Sequence, residues 1–66
     1  MINGLILDIV EAVKKDGTSY TDEQMITEYT DQIKTGDDKT LIEYLGTIKR
    51  FDLIDRINTY KEMNKI

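Results

Sequence analysis

Apolar residues along the chain fall into clusters of helical spacing, separated by short polar stretches that carry glycine. Ile2, Leu5, Ile6, Ile9, Val10, Ala12 and Val13 share one side of a helix running from about Asn3 to Lys15, while Asp8 and Glu11 take the other side. Lys14 and Lys15 occupy its last turn, where positive charge complements the helix dipole. Gly17 is the expected stop, because glycine adopts the left-handed conformation at little cost. The second helix is expected over 21–35. Thr21 with Gln24 three residues on makes a capping box, in which each side chain satisfies an orphan amide of the first turn. Tyr20 and Met25 stand at the positions of the matching hydrophobic staple, and Asp22 and Glu23 suit the positive helix end. Met25, Ile26, Tyr29 and Ile33 form the apolar stripe, Lys34 closes the helix and Gly36 stops it.

The third helix is expected over 38–50, capped by Asp37 or Asp38, with Leu41, Tyr44, Leu45 and Ile48 on one face. The pattern then changes. On an unbroken helix, Leu53, Ile54, Ile57 and Tyr60 would centre roughly 130–150° away from that face. One straight helix cannot aim both stripes at one small core. The expected solution is a break near Arg50–Asp52, with Asp52 capping a fourth helix over 52–63. The alternative, one long helix with an exposed second stripe, would call for a dimer or a bound partner. No segment alternates with period two over a useful length, so the expected fold is all-α: one domain, residues 1–66, built as a small bundle of three or four short helices.

Length sharpens the problem. A 66-residue chain buries only about 60% of the surface its unfolded form exposes, and a core of that size rarely supplies more than roughly 3–5 kcal/mol. With no Cys and no His, neither a disulfide nor a zinc site can supplement it. Good helix packing, or burial against a partner or a second copy, must do so. The absence of Cys is compatible with a reducing cytoplasm. The apolar N-terminal stretch lacks a positive leader segment and is interrupted by Asp8 and Glu11, so neither a signal peptide nor a membrane span is expected. Cytoplasmic is the expected location.

Candidate chemistry is sparse. The single Ser, Ser19, has no His to activate it. The acids are scattered over helical faces, with no evident cleft to tune a general acid or base. No enzyme, cofactor or metal site is expected. The stretch from Asp16 to Glu23 fails as a calcium loop, because the register that uses Gly17 puts Lys14 and Met25 where carboxylates belong.

Charge points toward contact instead. The net charge is −4, with residues 1–43 carrying −6 and residues 44–66 carrying +2. Such a balance suits solubility, or a partner with a basic face. It does not suit a generic DNA binder, whose affinity begins with phosphate attraction. A helix-turn-helix reading of the second and third helices places Asp37 and Asp38 where base edges should be approached. It would require a dimer that brings Lys49, Arg50 and Arg56 onto one face. An oligomeric structural or assembly subunit is a further alternative. Tyr29, Tyr44, Phe51 and Tyr60 stand at helical spacing and are expected at the core or its edge. Tyr44 and Tyr60, at the stripe margins, are candidates for partner contact. Leu53, Ile54 and Ile57 join them if the last two helices are one, and Asp37, Asp38 and Glu43 are the candidate acidic contacts.

Residues 21–29, Thr-Asp-Glu-Gln-Met-Ile-Thr-Glu-Tyr, resemble the opening of the Sda family of small helical-hairpin inhibitors of sporulation histidine kinases. That family also begins with a hydroxyl cap, Asp-Glu, an apolar pair and a Tyr. The resemblance implies a small helical inhibitor of a bacterial regulatory protein. Composition rich in Ile, Lys, Asn and Asp suits phages and mobile elements of AT-rich bacteria. The expected function is therefore that of a non-catalytic protein-binding module, an inhibitor or modulator of a bacterial host protein.

Overall fold

In a computed structural model, residues 2–64 are described. They form α1 (Ile2–Asp16), α2 (Asp22–Thr35), α3 (Lys39–Thr47) and α4 (Phe51–Met63), with no strand among the described residues. The all-α bundle is thus realised with four helices. α1 packs against α2 and α4, α3 packs against α4, and α4 also meets α2. Twelve buried side chains from all four helices make one core, with Ile6, Ile9, Met25, Leu45, Leu53 and Ile57 the most enclosed large ones. None of the described helices is long and apolar enough to cross a membrane.

Local chemistry sets most of the helix ends. The Thr21 hydroxyl accepts from the Gln24 amide at 3.2 Å, and the Gln24 side chain accepts from the Thr21 amide at 3.0 Å, closing the capping box. Gly17 and Gly36 stop α1 and α2 with φ of 100° and 82°. At Gly17 the amide reaches back to the carbonyls of Val13 and Lys14, each at 3.1 Å. The predicted staple does not form. Tyr20 is 62% exposed and lies outside the core in which Met25 is buried.

The break between α3 and α4 falls at Ile48–Arg50, slightly before its expected place. The Arg50 amide bonds the Leu45 carbonyl at 2.8 Å and the Lys49 amide bonds the Gly46 carbonyl at 3.1 Å. With Lys49 left-handed at φ 63°, these are the paired bonds of a Schellman stop. The sequence hides it, because a lysine stands where glycine or asparagine is usual. Asp52 does not cap α4. Arg50 is the capping residue, and the Asp52 carboxylate accepts two bonds from its guanidinium, each 3.1 Å. That guanidinium holds the Asp52 carboxyl below the usual range, and the carboxylate raises the Arg50 pKa in turn.

The break turns the second stripe inward. Leu53 and Ile57 are completely buried, and Ile54 and Tyr60 pack half-buried against the core. Leu53 and Ile57 are therefore core residues and not partner contacts, as an unbroken helix would have made them. Phe51 is the converse case. It stands in the first turn of α4 and is 62% exposed, not at the core edge.

Lys49→Gly tests the turn. Relief of a left-handed side chain, about 1–2 kcal/mol, outweighs the greater freedom glycine gives the unfolded chain. The variant should be about 0.5–1 kcal/mol more stable by urea denaturation. A loss of stability would show that Lys49 is not left-handed in solution.

Candidate functional site

Two clefts separate the predicted contact tyrosines. Tyr60 lines an apolar groove between the start of α1 and the end of α4, with Ile2, Leu5 and Met63. Tyr44 lines a second cleft, of about 330 Å³, where the end of α1, the α1–α2 turn, α2 and the start of α3 converge. This second cleft gathers Tyr20, Tyr29 and Tyr44 with the carboxylates of Asp16 and Glu28, and no Lys or Arg among the described residues lines it.

Each wall has a local cause. Asp16 is the last residue of α1, and Gly17 turns the chain immediately after it. The Thr18 hydroxyl accepts from the Tyr20 amide at 3.2 Å, shaping the short link that holds Tyr20 beside α2. On α2, Glu28 and Gln32 are one turn apart, and the Gln32 amide donates to the Glu28 carboxylate at 3.3 Å. Tyr29 packs half-buried against the core at the stripe margin, as does Tyr44 on α3.

The Tyr44 hydroxyl donates to the Asp16 carboxylate at 2.6 Å, the short distance of a charge-assisted bond. It ties α3 to the end of α1, two elements with little other contact. Burial, then this hydrogen bond and the negative charge of Asp16, push the Tyr44 phenol up to about 12. Burial first, then Glu28 and Tyr20, raises Tyr29 as well. Both phenols stay protonated at neutral pH.

The three predicted acidic contacts separate. Asp37 and Glu43 are exposed but line neither cleft. Asp38 is 3% exposed and is not available to a partner. As the capping residue of α3 it makes no side-chain cap bond. Its carboxylate instead receives the Lys61 ammonium from α4, at 3.2 Å to each oxygen. The long-range register of α4 against α3 decides this, and no local pattern announces it.

The basic cluster is also divided. Arg56 pairs with Asp8 across α4 and α1, and Arg50 with Asp52. Both guanidiniums of the proposed DNA-binding face are thus engaged by carboxylates. Asp16, Tyr20, Glu28 and Tyr29 were not among the predicted contact residues. The available signal was the brevity of the α1–α2 link, which brings Asp16 and Tyr20 close to α2.

No protein-family model matches the chain, and neither a curated protein nor a solved structure does.

Two measurements probe these contacts. Lys61→Met keeps the apolar stem but leaves Asp38 buried without its cation. Loss of an enclosed partner costs about 3–5 kcal/mol; because Lys61 is part-exposed, urea denaturation should show about 1–2 kcal/mol. Adding Asp38→Asn should recover part of that loss, and an unchanged midpoint in the single variant would refute the pairing. In alkaline titration by phenolate absorbance, one tyrosine should ionise last, near pH 12, and Tyr44→Phe should remove that step. Because the folded pKa lies above the unfolded value near 10, the phenol's contribution to stability is complete below about pH 10 and disappears as pH rises toward 12. Four phenols titrating together would contradict the Tyr44–Asp16 bond.

Proposed function

We propose that the protein acts by contact: a non-catalytic module that binds another protein through the face formed by the end of α1, α2 and the start of α3. The carrying observation is the tyrosine-lined cleft. Tyrosine offers a large, rigid apolar ring with a polar tip, the combination favoured at interface hot spots. Three of the chain's four tyrosines meet here. Asp22, Glu23, Glu28 and Asp31 are exposed along α2, which favours a partner with a basic face.

In its finer form the reading is a cytoplasmic inhibitor or modulator of a bacterial host protein, of the kind phages and mobile elements encode. Composition supports it, and so does the resemblance of residues 21–29 to small helical kinase inhibitors.

The test is affinity capture from the native host, with the wild-type chain and a Tyr20→Ala/Glu28→Lys variant as parallel baits. Both positions are exposed, so the variant should keep its helical circular dichroism. A defined host protein should be retained by the wild type and lost with the variant. Retention of nothing but further copies of the chain would favour an assembly subunit. Salt-sensitive binding to duplex DNA would favour the dimeric helix-turn-helix-like DNA-binding alternative. Either result would displace the present reading.

A further inference from the structure

The cleft between α1, α2 and α3 carries the chemistry of a particular side chain. Three tyrosines line it beside Val13 and Leu41, its two charged members are both carboxylates, and among the described residues no cation lines it. At about 330 Å³ it stands at the small end of ligand pockets, which run roughly 300–1,000 Å³. It is the size of a socket for one long side chain, not of a groove for a helix.

From this complementarity we infer that the cleft receives an arginine side chain presented by the partner protein, its guanidinium lying against the tyrosine rings and bonding to Asp16 and Glu28. The inference rests on the protein-binding reading above and adds the chemistry of what enters. A guanidinium is planar and weakly hydrated. It stacks on aromatic faces while its edge donates to carboxylates, and an ammonium does the first of these less well. The carboxylates are already oriented. Asp16 accepts the Tyr44 hydroxyl through one oxygen, and Glu28 accepts the Gln32 amide through one oxygen. Each keeps a second oxygen as acceptor. Tyr29 and Tyr44 remain neutral, so their π faces are retained across the physiological range.

The full chain, labelled with nitrogen-15, is titrated with three short capped peptides: glycine-arginine-glycine, the same with lysine, and the same with citrulline, which keeps the shape but not the charge. The arginine peptide should shift amides of 16–20, 28–32 and 40–44 and leave the α1–α4 groove unmoved. Citrulline should weaken binding at least about tenfold, and lysine about threefold. Glu28→Gln, an exposed and nearly isosteric change, should weaken the arginine peptide about threefold to tenfold, and added salt should weaken it further.

Equal binding of arginine and citrulline, or arginine shifts scattered over all acidic faces, would overturn the inference. So would lysine binding as well as arginine. If the arginine peptide fails while a host protein is still captured by the wild type and lost with the Tyr20→Ala/Glu28→Lys bait, the cleft binds by other means and the broader reading stands. If no host protein is captured, that reading fails by itself.

Discussion

α4 reaches α1, α2 and α3 because the chain reverses its helical phase at Ile48–Arg50. Without that turn, Leu53 and Ile57 would point away from Leu41 and Leu45, and two apolar stripes could not share one core. Full burial of a Leu or Ile side chain contributes about 1.5–3 kcal/mol, a large fraction of what a domain this small retains. The turn is held by two backbone bonds around a left-handed lysine, a conformation that disfavours side chains. Burial of the α4 stripe outweighs that local cost, so tertiary packing selects the turn over a straight helix.

Beside the shared apolar core, polar links join the helices, mostly at their ends. Lys61 reaches Asp38 at the start of α3, Tyr44 reaches Asp16 at the end of α1, and Lys14 reaches Asp22 at the start of α2. They differ in strength for a physical reason. The Asp38 carboxylate is withdrawn from water, so its partner matters greatly. Arg56–Asp8 and Lys14–Asp22 are exposed at both members and are screened accordingly. Asp38 precedes the first turn of α3, the shortest helix, and Tyr44 stands past its middle; no side chain caps its start. These ties fix α3 to α4 at one end and to α1 along its length.

The same convergence creates the tyrosine cleft. The bond from Tyr44 to Asp16 ties one wall to another, while Gly17 and the short link after it hold Tyr20 against α2. The fold and the proposed binding cleft therefore share residues: Asp16 braces α3 and also contributes negative charge to the cleft.

Helix positions were legible from residues near one another in the chain. The capping box at Thr21–Gln24, the glycine stops at 17 and 36, and the phase change after Ile48 each act within about two turns, and the period favoured a break before α4 over one long helix. Where short-range chemistry was unusual, legibility fell: the stop at Lys49 lacks glycine, and Asp52 found Arg50 in place of a cap. The fates of Asp38, Leu53, Phe51 and Tyr20, and the meeting of Asp16, Tyr20, Glu28, Tyr29 and Tyr44, depend on how the helices are rotated and shifted against one another. The sequence by itself determined an all-α bundle of three or four amphipathic helices and where most of them end. Only the tertiary structure decided which carboxylate would be buried and which tyrosines would face each other, because burial and pairing between helices depend on distances that no local pattern encodes.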